Sequence, residues 1–206
     1  MTEHELTPLC KLARYFQTDK GGWHLHAGDT CHNYTPAYYE LFKDRQQTVK
    51  RVLEIGVNYG PSLRMWREFF PNAEIVGLDC NEQCLFNDGR IRCFAADQGN
   101  AESLLDAMER AGINDRYDLI IDDGSHFPAH QLLSAQVLMP FLEFDGVYVI
   151  EDIDYDCQPE LIMDKLPHYK CEAINTGVGL GKAHCHPDCT KCHGAEGERL
   201  IVVRHG

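Results

Sequence analysis

Residues 51–62 read RVLEIGVNYGPS, and the fold follows from this stretch. The run 51–56 is apolar at successive positions rather than at every second one, as expected of a strand buried on both faces. Gly56, Asn58 and Gly60 then supply turn chemistry, and Pro61 suits the first position of a helix. A strand that turns into a helix start in this way aims backbone N–H groups at a ligand. Further strand-like runs at 74–79, 90–95, 117–122 and 146–150 alternate with helical patterns at 62–70, 81–87, 100–111 and 128–141. That alternation predicts a doubly wound α/β fold around a mostly parallel sheet.

The flanks read differently. Residues 3–17 and 36–46 predict two helices around an aperiodic stretch, TDKGGWHLHAGDTCHNYT, which reads as a loop or lid. After residue 156 the pattern gives a helix at 158–165, a strand at 168–174, an irregular segment to 198 and a last strand, RLIVV. The expectation is one domain over 1–206: a helical lid segment (1–48), a cofactor-binding core (49–156) and a C-terminal helix and strands around a Cys/His-rich loop (157–206).

Composition narrows the function. The chain has 206 residues, is 44% hydrophobic and 25% charged, and carries a net charge of −13. Such a field repels phosphate backbones and anionic membrane surfaces, so nucleic acid and membrane are not expected partners. No apolar run reaches the roughly 18 residues of a membrane span, and MTEHELTPLC lacks signal-peptide character, so a soluble cytoplasmic protein is expected. Ten cysteines fall below the density of a disulfide scaffold, and most read as small buried hydrophobes.

The turn spells Glu54-x-Gly56-x-x-x-Gly60, with Asn58 where a dinucleotide fingerprint has its second glycine. Losing that glycine argues against a pyrophosphate and for a nucleoside without phosphates. Asp79 ends the second strand, where an acid commonly takes ribose hydroxyls, and Asp97 ends the third. Together the acids fit S-adenosylmethionine, with Glu54 beneath the methionine end, Asp79 on the ribose and Asp97 beside the adenine amino group. Gly56, Asn58, Gly60, Ser62, Gln98 and Asp122 complete the set expected around it. The plain alternative is that Asp79 and Asp97 cap the helices that follow.

The fourth strand ends in Asp122-Asp123-Gly124-Ser125-His126 and the fifth in Glu151-Asp152-Ile153-Asp154. Adjacent parallel strands bring both tips to the carboxyl edge of the sheet, where open α/β folds bind ligands. Carboxylates crowded there repel one another unless a cation neutralises them, and oxygen donors select a hard ion such as Mg²⁺. A solvated acidic edge is the alternative. His126 stands on the same loop, placed to act as a base with Asp123 beside it. Imidazole, with a pKa of about 6.5, lies about 9 units below an alcohol that resembles water, so a metal and a base make sense together.

Taken together, VLEIGVNYGPSLRMW, IVGLD, DLIIDDGSH and FDGVYVIEDI, with TDKG and HNYTPAYYELF ahead of them, resemble the metal-dependent O-methyltransferases of macrolide and other deoxysugars. The related cephalosporin-biosynthesis methyltransferase is similar too. The resemblance implies a Rossmann-like class I methyltransferase with a seven-stranded sheet and S-adenosylmethionine as donor. It also implies a divalent metal held by Asp123, Glu151 and Asp152, and His126 as base. Two departures stand out: Pro61 replaces a glycine, and the macrolide-sugar enzymes carry an extra N-terminal domain not seen here. The acceptor implied is a sugar hydroxyl, such as that of rhamnose in a glycan or glycoside. The chain would then be a homo-oligomer or a piece of a longer glycan-modifying protein. Rival readings are a catechol-type enzyme and a non-catalytic cofactor-binding partner.

Two segments lie outside that pattern. Lys20, His32, Tyr34 and Tyr38, in and beside the lid, are placed to meet the methionine carboxylate, although Tyr38 equally suits a helix core. Cys185, Cys189, Cys192 and His193 are dense enough for zinc, yet their spacing matches no standard finger, and a plain loop is the alternative.

Overall fold

The computed structural model describes residues 6–21, 32–112, 116–153, 159–176 and 199–206. The Cys/His-rich loop proposed for zinc, and Asp154, lie outside them. Among the described residues no helix is long and apolar enough to cross a membrane.

Eight strands form one sheet: β1 (Arg51–Ile55), β2 (Glu74–Asp79), β3 (Asn87–Asp88), β4 (Ile91–Ala95), β5 (Tyr117–Asp122), β6 (Leu142–Ile150), β7 (Tyr169–Asn175) and β8 (Arg199–His205). Their spatial order is β3-β4-β2-β1-β5-β6-β8-β7. The pairs from β4 through β2, β1 and β5 to β6 are parallel, while β3, β8 and β7 join antiparallel at the two edges. Strand order reverses between β1 and β5, and that switch point opens a crevice at their carboxyl ends.

Helices cover both faces. On one lie α1 (Pro8–Phe16), α2 (Thr35–Phe42) and α3 (Pro61–Phe69), and on the other α4 (Ala101–Gly112), α5 (Pro128–Leu138) and α6 (Glu160–Met163). Alternate strand residues feed two separate cores. Leu119 and Ile121 pack with Tyr38, Trp66 and Phe70, whereas Ile120 packs with Leu104, Met108 and Leu138. This is why the strand sequences are apolar without a break.

The boundaries differ from the sequence reading where local chemistry intervenes. The helix expected at 81–87 is a short 3₁₀ turn, Glu82–Cys84, followed by β3, which makes the eighth strand. Asn81 accepts a hydrogen bond from the Gln83 N–H instead of continuing a helix, and Asp88 takes Arg67 at 2.8 Å. Helix α5 stops at Leu138: Pro140 has no N–H to give to a carbonyl four residues back, and the chain passes into a 3₁₀ turn, Met139–Phe141. Strand β6 begins at Leu142, four residues before the expected run, by pairing with Tyr117 beyond a register shift. Helix α2 ends at Phe42, with turns to residue 48.

Candidate active site

The β1–α3 turn takes the backbone its residues suggest. Gly56 has φ +97°, Asn58 +38° and Gly60 +83°. A Cβ on Gly56 would lie 1.9 Å from the Asp123 carbonyl oxygen, so only glycine lets β1 and the loop after β5 approach so closely. Two cavities flank this turn. One, about 330 Å³, is bordered by Thr18, Asp19, Asn58, Ser62 and His126. The other, about 310 Å³, is bordered by Cys80, Asp97, Gln98, Ser125 and His130. Gly56, Asp79 and Gly124 border both, so the two read as halves of one groove.

Of the residues expected to hold a nucleoside cofactor, Gly56, Asn58, Ser62, Asp79, Asp97 and Gln98 line this groove. Asp79 also holds the turn, its Oδ2 accepting from the Val57 N–H at 2.8 Å and its Oδ1 from the Asn81 N–H at 2.8 Å. Asp97 does not cap α4. That role falls to Asn100, whose Oδ1 accepts from the Glu102 and Ser103 N–H groups, while the exposed Asp97 carboxylate accepts from the Gly99 N–H. Glu54, Gly60, Asp122, Lys20 and Tyr34 are not among the lining residues. Glu54 lies buried beneath the turn, accepting from Trp66 Nε1 at 2.8 Å, and Gly60 forms the N-cap of α3. Asp122 is wholly buried and bonded to Gln98 and Ser134.

The lid residues face the acids, where sequence reasoning had placed them at the methionine carboxylate. The fully buried Lys20 ammonium contacts Asp123 and lies 2.5 Å from Glu151 and 3.2 Å from Glu54. Tyr38 donates to Glu151 Oε1 at 2.6 Å, and Tyr34 donates to Asp152 Oδ1 at 2.7 Å. His32 Nδ1 sits 3.1 Å from the same Asp152 oxygen, its ring stacked on Tyr34. These partners come from chain positions more than a hundred residues before Asp123, Glu151 and Asp152, which no local motif reveals. Sequence reasoning also missed Thr18, Asp19 and His130 on the groove wall and Ser134 beneath it. Only the neighbourhood of TDKG and DDGSH could have signalled them.

Burial governs the titration of this cluster. It pushes the Glu54 carboxyl up to about 7 against the pull of Lys20, and Asp122 up to about 6 despite hydrogen bonds from Ser134 and Gln98. Burial likewise raises Glu151 and Asp152. Asp123 goes the other way, because Lys20 and His126 outweigh burial and hold it below the usual carboxylate range. The hydrogen bond with Asp123 raises His126 above its ordinary value.

One ligand atom each from Asp123, His126 and Asp152 lies within 4.8 Å of the others. His126 Nε2 stands 3.3 Å from Asp123 Oδ1 and 3.3 Å from Asp152 Oδ2. Two of these three match the expected metal ligands. The third expected ligand, Glu151, has one oxygen on Lys20 and the other on Tyr38. The donor set of carboxylate oxygens, with an imidazole at the rim, fits a divalent cation of the Mg²⁺ or Mn²⁺ kind.

No protein-family model matches the chain. Among curated proteins it is 40% identical over 152 residues to mycinamicin VI 2''-O-methyltransferase of Micromonospora griseorubida, covering 70% of this chain and 36% of that one. It is 34% identical over 158 residues to 8-demethyl-8-alpha-L-rhamnosyl tetracenomycin-C 2'-O-methyltransferase of Streptomyces olivaceus, covering 73% and 39%. Among solved structures, MycE methyltransferase of the mycinamycin pathway, in complex with Mg and SAH, superposes with a TM-score of 0.61 at 39% identity. That match covers 71% of this chain and 37% of MycE. The chain thus spans little more than a third of the length of these relatives. Over the shared segment it is a relative of the sugar O-methyltransferases of macrolide and tetracenomycin pathways, and its fold is that of the class I methyltransferases.

Proposed function

We propose that the chain transfers a methyl group from S-adenosylmethionine to a hydroxyl of a sugar, a deoxyhexose such as rhamnose in a glycoside. The observation that carries this reading is His126, whose Nε2 lies 3.3 Å from both Asp123 and Asp152 at the border of the groove. The nucleoside would lie along Gly56, Asn58, Asp79 and Asp97, with Gln98 on the wall and Ser62 at the start of α3. Its reactive end would face Glu54 and the acid cluster. A divalent ion held by Asp123 and Asp152, with Glu151 alongside, would lower the acceptor hydroxyl's pKa and fix its orientation. Within the chain, His126 takes the hydroxyl proton, and Asp123 keeps the imidazole turned toward the site. Lys20 and Tyr38 hold Glu151, while Tyr34 and His32 hold Asp152, so the acids meet the acceptor already oriented.

The relatives' names support a sugar acceptor. The mycinamicin enzyme is a 2''-O-methyltransferase, and the Streptomyces olivaceus enzyme acts on a rhamnosyl tetracenomycin. The test is transfer from methyl-labelled S-adenosylmethionine, with Mg²⁺ present, onto a panel of rhamnosides, other deoxyhexosides and catechols. A methylated deoxyhexoside is expected. Product only from catechols would replace the sugar with a phenol, and no transfer to any acceptor would overturn the enzymatic reading.

A further inference from the structure

The loop from Asp123 to Phe127 carries Asp123 and His126, on which the proposed chemistry depends, and Gln98 braces it from below. Gln98, 6% exposed, donates through Nε2 to Asp122 Oδ1 at 2.6 Å and lies 3.3 Å from Ser134 Oγ. Its Oε1 accepts from the Ser125 N–H at 2.7 Å. Both ends of the amide are therefore used. Turning it over would set an NH₂ against the Ser125 N–H and an oxygen against the Asp122 carboxylate, so the orientation is fixed by its partners.

The fit to the loop backbone is close. A Cβ at Gly124 would lie 2.4 Å from Gln98 Oε1, so a side chain there would have to displace the Gln98 amide. The base of the brace is equally firm, because wholly buried Asp122 also accepts from Ser134 of α5 and from the Tyr148 hydroxyl of β6 at 3.4 Å. On the far side of the loop, Ser125 Oγ meets His130 Nδ1 at 2.9 Å. Immediately beyond Ser125, His126 sits at φ +60°, a conformation that a non-glycine residue keeps only where its surroundings over-determine it.

We propose that Gln98 is a positioning residue for His126: through Asp122 below and Ser125 above, it holds the 123–127 loop so that the imidazole faces Asp123 and Asp152. The sequence suggested a different role, direct contact with the cofactor, and Gln98 does border the groove. Positioning rests on the methyl-transfer reading above, since it is the base that is positioned. Misplacement by about 1 Å costs a reacting pair about 10²-fold in rate, which sets the scale expected when the brace is removed.

The test is Gln98→Met, which keeps the length of the side chain on the groove wall and removes both hydrogen bonds. Steady-state kinetics would be measured in the wild-type and His126→Ala backgrounds, with calorimetric S-adenosylhomocysteine affinity and hydrogen exchange of the peptide spanning 123–127. The expected result is a kcat lower by about 10- to 100-fold, KM values and S-adenosylhomocysteine affinity within about 3-fold, and no further loss once His126 is absent. Exchange at 123–127 should quicken. Ser134→Ala, which loosens Asp122 without touching the groove wall, should shift kcat and exchange the same way by a smaller factor. Affinity for S-adenosylhomocysteine weakened 10-fold or more at unchanged kcat would make Gln98 a cofactor contact and overturn the proposal. So would losses that multiply in the double variant. If the wild-type chain methylates no acceptor, the exchange arm still decides: unchanged protection at 123–127 overturns the brace, whereas faster exchange upholds it and leaves the failure with the methyl-transfer reading.

Discussion

The two parts of the cleft handle their acids in opposite ways. Along the groove, Asp79 and Asp97 stand at strand ends and accept backbone N–H groups from turns within about twenty residues of themselves. Beneath the acid cluster, Glu54 and Glu151 are buried; Trp66 of α3 is near Glu54 in sequence, but Lys20, which the two acids share, and Tyr38 come from the N-terminal segment. An acid at the groove wall is met by water and nearby turns, whereas a buried one needs a cation or donor brought to it by the fold. The groove is therefore a local device. The acid cluster is assembled by adjacent strand tips, but its buried carboxylates gain Lys20 and Tyr38 only once the N-terminal segment has packed against the sheet.

The largest expected effect probes the cluster directly. His126→Ala should lower turnover by about 10² to 10⁴ while cofactor affinity stays near wild type, the usual worth of a positioned general base. Undiminished turnover at saturating acceptor would place the base elsewhere. Next comes Lys20→Met, which leaves Asp123, Glu151 and Glu54 without their shared ammonium. Removing one partner of a buried ionic group costs about 3 to 5 kcal/mol, to be read by urea denaturation in chelator. Stability equal to wild type would mean that the N-terminal segment does not hold the cluster.

Glu54 sharpens the contrast through pH. Its carboxyl sits at about 7 in the folded protein against 4.5 as the ordinary value. The folded state thus binds this proton more readily than the unfolded chain, so the contribution is present below about pH 4.5 and is lost as pH rises through about 7. Glu54→Gln removes that slope. The variant should gain on wild type between pH 5 and pH 8 by up to about 3 kcal/mol in thermal or urea unfolding, the linkage value of the shift. A pH-independent difference would mean that Glu54 is ionised throughout. The smallest effect belongs to the groove. Asp79→Ala should weaken S-adenosylhomocysteine by about 1.5 to 3 kcal/mol in calorimetry, the scale of hydrogen bonds to a charged group. An unchanged constant would reduce Asp79 to a brace for the turn.

The same contrast explains what the sequence could show. Unbroken apolar runs such as YDLIID mark strands buried on both faces, so the parallel core and its carboxyl-edge acids were legible. The Gly56 turn was legible too, because Gly56, Asn58 and Gly60 suit its positive φ values, although Tyr59 between them also takes φ +63°. The two-residue β3 was not, since it has no periodicity to read and depends on pairing with Arg92 and Ile91. Nor were the partners of Lys20. Its motif stands 103 positions before Asp123, and only the packing of α1 and α2 on α3 brings it beneath the acids. Gln98 was placed at the right edge of the sheet, yet its bonds to Asp122 and Ser125 depend on how closely two loops meet.

Metal-dependent transfer is the claim with most resting on it, and chelation tests it most directly. Methyl transfer from labelled S-adenosylmethionine to a rhamnoside would be followed in EDTA and again after adding back Mg²⁺ alone, with S-adenosylhomocysteine affinity measured in both states. With Asp123 and Asp152 holding the ion that prepares the acceptor hydroxyl, turnover should vanish in EDTA and return with Mg²⁺, while the groove at Gly56 and Asp79 binds S-adenosylhomocysteine throughout. Full turnover in EDTA, with no metal bound at Asp123 by calorimetry, would contradict it.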